Sequence, residues 1–283
     1  MSTQARTTPR PEPQAQTRVS SPEPLTPTTG RIKRLRRLGT RSYRQERREF
    51  LVEGPQAVRE ALRRPETVIE VFAVDDAYRR HLAGDAVTAT IVDEPVIAAL
   101  SDTVTPQGVV AHCRFVDLPV DELLAAAPRL VAICADVRDP GNAGTVVRCA
   151  DAAGADAVLF GANSVDPYNP KAVRASAGSL FHLDVAVEPD LAGMISAVRE
   201  RGFRVLAADG TGETDLFALE RAGGLDGPTA WLFGNEAWGV PDEVRSLADD
   251  AVAVPIYGAA ESLNLATAAA VCLYSSARAG QVD

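Results

Sequence analysis

From Leu130 onward the chain sets short apolar runs between amphipathic stretches, and that alternation narrows its possible folds more than any other feature. "LVAICAD", "AVLFG", "LDVAV", "FRVLAAD", "TAWLFGN" and "AVAVPIY" each read as a strand. Most are apolar throughout rather than alternating, as strands covered on both faces by helices are. Helices are expected at 141–154, at 169–181, at "LAGMISAVRERG" and "PDEVRSLADD", and from Ser262 to about Ala279. The pattern predicts an α/β fold with a mainly parallel sheet flanked by helices. A ligand site then belongs at the carboxyl ends of the strands.

A shorter alternation precedes it. "FLVEG", "VIEVFAV", "TATIVD" and "GVVAHCRF" read as strands, with "PQAVREALRR", "AYRRHLAG" and "EPVIAALSD" as helices between them. Residues 30–116 thus form a small α/β domain, 117–128 a linker helix, and 129–283 a second domain. Residues 1–29 are rich in Pro, Thr, Gln and Ser and are expected to be disordered. Their six prolines argue against an amphipathic transit helix. The expected location is cytoplasmic. There is no charged start with an apolar run, as in a signal peptide, and no membrane-length apolar stretch.

The net charge of −9 argues, taken alone, against a nucleic-acid partner. The charge is uneven, however. "RIKRLRRLGTRSYRQERR", residues 31–48, carries nine Arg or Lys and one Glu, a local +8 that leaves −17 on the rest. Phosphate binding responds to local potential, screened over about 8–10 Å. On charge alone an RNA grip and a solvated basic helix are equally open. Cys113, Cys134, Cys149 and Cys272 are scattered and lack metal-ligand spacing, so they read as small buried hydrophobes in a reducing compartment, with no metal site.

Three loops at strand ends hold the informative residues. "VRDPGNAGTVVRCAD" has a Pro140–Gly141 turn, Asn142 placed to cap the helix, Gly144 for close approach, and Arg148 among apolar neighbours. "LFGNEAWGV" ends a strand at Gly234 and Asn235 and offers the Glu236 carboxylate. "VPIYGAAESLN" ends another strand at Pro255 and opens a helix with Ser262 and Asn264. Dinucleotide and P-loop fingerprints are absent, which counts against a nucleotide-dependent oxidoreductase.

With these segments in view, the chain resembles the TrmH/SpoU family of RNA ribose 2′-O-methyltransferases, within the SPOUT superfamily. "DPGNAGTVVRCADAAGADAV", "LFGNEAWGV" and "VPIYGAAESLNLATAAAVCLY" resemble the family's three motifs in order, and "VDPYNPKAVRASAGSLF" a further family segment. "FLVEGPQAVREAL" resembles the RNA-binding N-terminal domain of many members. The resemblance covers about residues 129–279. It implies an S-adenosylmethionine cofactor, a carboxyl-terminal trefoil knot and a homodimer. It also implies that backbone groups of Gly234, Val254, Ile256 and Leu263 hold the cofactor. Val254 stands where isoleucine is common, and "GAAES" is looser than the usual loop.

By the same resemblance Arg148, Asn142, Glu236, Ser262 and Asn264 surround the reacting 2′-oxygen. Family accounts make the arginine a general base, which is awkward for a group protonated to above pH 12 or so. Either Arg148 loses its proton beside the cationic cofactor, or it stays charged and stabilises the forming alkoxide. Arg41, Arg44, Arg47 and Arg48 are expected to grip RNA, the N-terminal domain of one subunit serving the other's site. Arg174 is expected to meet RNA or the dimer interface. Ribosomal RNA, 23S in particular, is the expected substrate, with transfer RNA as the alternative. A non-catalytic RNA-binding protein of the same fold is the rival of another class.

Overall fold

Apolar patterning places nearly every element where it forms. The computed structural model describes residues 24–84, 87–235 and 238–280. The basic segment makes two short helices, α1 (Gly30–Arg36) and α2 (Arg41–Arg47), joined by a 3-10 turn. Then follow β1 (Glu49–Glu53), α3 (Pro55–Ala61), β2 (Val68–Ala73), α4 (Asp75–His81), β3 (Ala89–Ile91), α5 (Glu94–Leu100) and β4 (Val109–Arg114). They build a four-stranded sheet of order β1-β4-β2-β3. The basic segment is not a detachable arm. Ile32, Leu35 and Leu38 pack with Phe72, Ile97 and Val110, which seats the segment on the small sheet.

The linker is a short helix, α6 (Val120–Ala125), rather than helical across 117–128. Asp117 and Leu118 instead pair with Val185 at the edge of the larger sheet. That sheet is built from β5 (Leu130–Cys134), α7 (Pro140–Ala152), β6 (Ala157–Gly161), α8 (Pro170–Ser176), β7 (Asp184–Glu188), α9 (Leu191–Glu200), β8 (Arg204–Ala208), β9 (Thr214–Asp215), α10 (Leu216–Arg221), β10 (Thr229–Phe233), α11 (Asp242–Arg245), β11 (Asp250–Ala253) and α12 (Leu265–Ala279). The strand order is β7-β6-β5-β10-β8-β11-β9 and every pair is parallel. β5, β6 and β10 are buried along their whole length, as strands with helices on both faces must be.

Further elements depart from expectation, two helices among them. The stretch 169–181 is not one helix. α8 stops at Ser176, Ala177 and Gly178 turn left-handed (φ 52° and 101°), and 179–181 form a 3-10 turn. The break seats Gly178 on the other domain, where a Cβ would lie 2.6 Å from Glu60 Cγ. The final helix starts at Leu265, capped by Asn264, rather than at Ser262. One apolar cluster runs from Phe50 and Val58 through Val147 and Phe181 to Leu273, so the two sheets share a core.

His182 follows the left-handed break and bridges the two units. Nδ1 lies 2.8 Å from Asp151 Oδ2 and Nε2 3.0 Å from Glu60 Oε2, which also meets Arg63 Nε at 3.0 Å. Burial opposes charge on the imidazole, but the two carboxylates outweigh it and raise the pKa above its usual 6.5. A raised folded-state pKa stabilises below the unfolded value, and the benefit is lost as pH rises through the folded one. His182→Gln is expected to cost about 0.5–1 kcal/mol near pH 5.5 and less near pH 8. Urea denaturation at both pH values checks this; an equal loss at both would remove the charge from the account.

Candidate active site

α7 opens the site. Pro140 takes the first helical position and Asp139 is the cap, its Oδ1 accepting from the Asn142 amide at 2.9 Å. That bond, assisted by Lys171, holds the Asp139 carboxyl below its usual value. Asn142 is therefore not the cap, contrary to expectation. Its side chain reaches across the edge of the sheet instead, where Oδ1 accepts from Asn264 Nδ2 at 3.2 Å. At Gly144 the close neighbour is α8: a Cβ there would lie 2.2 Å from the Ala172 carbonyl oxygen, so its bareness lets α8 pack. Arg148 is exposed on the flank of α7 rather than buried. The neighbouring Cys149 Sγ lies 3.9 Å from the Ala266 carbonyl, which sets that flank beside α12.

The second loop follows β10. Asn235 and Gly239 exchange backbone hydrogen bonds of 2.7 and 2.8 Å. A Cβ on Gly234 would lie 2.2 Å from the Gly239 carbonyl oxygen, so only glycine permits this closure. Glu236 lies outside the described residues. Beyond it, Trp238 Nε1 donates to Asp136 Oδ2 at 3.2 Å, and Asp136 is buried at the end of β5. Asp136 also accepts from Arg138, whose guanidinium lies 5.1 Å from the Trp238 ring centre.

The third loop leaves β11 after Ala253, two residues earlier than expected. β10 and β8 separate β11 from β5, yet the chain returns far enough for Asn264 to meet Asn142. Asn264 Oδ1 accepts from the Ala266 and Thr267 amides at 3.0 and 3.4 Å, capping α12. Val254 and Leu263 are half-buried, while Ile256 and Ser262 are exposed. Among the described residues, the backbone from Pro255 to Leu263 makes no backbone hydrogen bonds, so the groups of Ile256 and Leu263 stand open.

The arginines expected to grip RNA divide. Arg41 and Arg47 are exposed, Arg47 within 3.4 Å of Glu49. Arg48 lies over the Phe115 ring and donates to Asp117 at 2.9 Å, with its side chain still largely open. Arg44 is a correction. It is 1% exposed, and its Nε and Nη2 donate to Asp166 Oδ2 at 2.9 and 2.6 Å. Inside the protein its guanidinium has no path to a phosphate. Arg174 lies 3.7 Å from Asp102 and so ties α8 to the smaller unit. Arg41 and Arg48 line a cavity of about 220 Å³ at the carboxyl ends of β6 and β7. Its wall at Ser164 and Val165 is hydrogen-bonded to Val137 of the first loop.

Residues 129–274 match the model of the SpoU rRNA Methylase family, and residues 30–111 match the MRM3-like substrate binding domain. The chain belongs to the SpoU rRNA methylase family. The 23S rRNA (guanosine(2553)-2′-O)-methyltransferase RlmP of Bacillus subtilis is 34% identical over 244 residues, covering 86% of this chain and 94% of the relative. The SpoU methyltransferase AviRb of Streptomyces viridochromogenes, solved in complex with AdoMet, superposes with a TM-score of 0.76 at 29% identity, covering 88% and 97% of the two chains. An AdoMet-bound rRNA methyltransferase of Sinorhizobium meliloti gives 0.75 at 29% identity, covering 93% and 97%.

Around these three loops the sequence alone did not single out Asp136, Arg138 or Trp238. Trp238 carried a signal, as a large aromatic flanked by glycine in a strand-end loop. Among the described residues no group of three or more His, Cys, Asp or Glu is arranged to hold a metal. No described helix is long and apolar enough to cross a membrane. The cysteines are free, and burial pushes the Cys113, Cys134 and Cys272 thiols well up.

Proposed function

We propose that this protein is an S-adenosylmethionine-dependent methyltransferase that modifies a ribose 2′-hydroxyl of 23S ribosomal RNA, acting in the cytoplasm as a homodimer with a trefoil knot in its carboxyl-terminal sheet. The observation that carries the reading is the Asn142–Asn264 contact. It gathers the first and third loops at one edge of the sheet and leaves Arg148 exposed on the helix between them. The 23S substrate follows the activity of the Bacillus subtilis relative, which this chain matches along most of its length.

The residues present fit the cofactor. Gly234 closes its loop with no side chain, and Ile256 and Leu263 offer unengaged backbone donors and acceptors. Such a wall suits a group held by its main-chain contacts, with Gly234, Val254, Ile256 and Leu263 as its holders. When bound, S-adenosylmethionine supplies a methyl group activated by its sulfonium charge. The chain then has to aim the ribose oxygen and stabilise the negative charge growing on it. An exposed guanidinium has five donors and no acceptor, so Arg148 works as a charged donor to that oxygen or to the adjoining phosphate. Asn142 and Asn264 hold each other across the site, and the exposed Ser262 adds to its polar rim.

RNA is gripped by Arg41, Arg47 and Arg48, and the cavity beside Arg41 leads toward the first loop. Removing 1–49 would strip Ile32, Leu35 and Leu38 from the core, so point variants are the sound test. Arg41→Ala with Arg47→Ala is expected to lower the slope of log affinity against log salt by about 2, with weakening on every RNA sequence. Filter binding between 50 and 300 mM salt reads it; an unchanged slope removes this face from the grip.

A further inference from the structure

Building on that reading, we propose that Trp238 and Arg138 form a fixed stacking platform for a base of the substrate RNA next to the methylated nucleotide. The two tryptophans differ sharply. Trp231 is fully buried, with Nε1 donating to Ser276 Oγ at 2.9 Å, whereas Trp238 is 60% exposed. An exposed indole usually turns freely, but this one is held on three sides. Its N–H is pinned to the buried Asp136 carboxylate at 3.2 Å. Its ring has the Arg138 guanidinium at 5.1 Å. Its loop is closed by the paired backbone bonds of Asn235 and Gly239, with Gly239 at φ +71°.

Asp136 aligns both members, since Arg138 Nε donates to its other oxygen at 2.8 Å. The pair is therefore rigid before any ligand arrives, and little side-chain freedom is lost on binding. A flat indole beside a cation is the surface on which unpaired bases stack, whatever their sequence. The place is right too. Arg138 immediately precedes the Asp139 cap of α7, and Arg148 lies roughly 12 Å along that helix. One RNA strand spans both. Asp136 is the positioning residue and touches no RNA.

The test uses intrinsic fluorescence of the full chain, with a mixed-sequence single-stranded 12-nucleotide RNA, and separately S-adenosylmethionine alone, as probes. RNA is expected to quench emission in the wild type and to leave Trp238→Phe, whose sole remaining tryptophan is buried, unchanged. The cofactor alone is expected to quench neither. In steady state Trp238→Ala should raise KM for RNA about tenfold, or about 1.4 kcal/mol. KM should rise more than kcat falls, and Trp238→Phe should recover most of the loss. Three results overturn the proposal: RNA binding without quenching, quenching by cofactor alone, or a Trp238 that acrylamide cannot reach in the free protein because a second copy covers it. The binding measurement needs no methyl transfer, so it judges the platform even where the enzymatic reading fails.

Discussion

Arg148→Ala is expected to reduce methyl transfer to RNA by about 10²–10³-fold, the usual effect of removing one preorganised donor from a developing oxyanion. Cofactor affinity should stay within about twofold, because the proposed cofactor contacts come from the second and third loops. The side chain stands exposed on α7 and supports no core, so loss of activity cannot be put down to unfolding. Arg148→Lys keeps the charge but not the planar fork and should fall between the two. Initial rates with labelled S-adenosylmethionine, paired with calorimetric titration of the cofactor, separate the effects. A variant that loses cofactor binding in step with activity would move Arg148 from the reacting oxygen to the cofactor.

Arg44→Ala is expected to destabilise the protein by about 3–5 kcal/mol, since it strands the Asp166 charge in the interior. Both members are almost fully buried, 1% and 6% exposed. Arg44 also donates from Nη1 to the Leu38 carbonyl at 2.8 Å, and Asp166 Oδ1 accepts from the Tyr168 amide at 2.9 Å. The clasp continues through Tyr168. Its hydroxyl donates to Asp117 Oδ1 at 2.6 Å, and its ring stacks on Phe115 at 3.7 Å. Basic helix, linker and larger sheet are thereby locked together. The double variant Arg44→Met with Asp166→Asn removes both charges and keeps an acceptor for Tyr168. It should cost less than Arg44→Ala alone. Urea midpoints of wild type and both variants decide this; a double variant worse than the single would show that a stranded Asp166 charge is not what Arg44→Ala costs.

The clasp also shows where sequence reading stops. Arg44 sits in a run of nine cations, and such a run reads as solvated because nothing nearby neutralises it. Its partner is 122 residues away, so only the tertiary fold reveals the burial. The parallel sheet was legible for the opposite reason: β5, β6 and β10 carry apolar side chains at position after position, and burial on both faces demands that locally. β9 escaped notice because two residues have no period. In the site, the three loops were legible from glycines and asparagines at strand ends. The true cap of α7 was within reach as well, since Pro at the first helical position puts the cap one residue earlier, at Asp139. The left-handed Ala177 was not, because alanine gives no sign of such a backbone. Asp136 was equally hidden, as its role is set by Trp238, 102 residues further on.

The central claim is methyl transfer to a ribose oxygen under the guidance of Arg148. Its most direct test is to incubate 23S ribosomal RNA with tritiated-methyl S-adenosylmethionine and the full chain, hydrolyse the RNA in alkali and locate the label. A 2′-O-methyl group blocks cleavage at its own phosphodiester. The label should therefore appear in an alkali-resistant dinucleotide with the wild type and nearly vanish with Arg148→Ala. Label carried on a base in alkali-released mononucleotides, or wild-type transfer that Arg148→Ala sustains in full, would contradict the account.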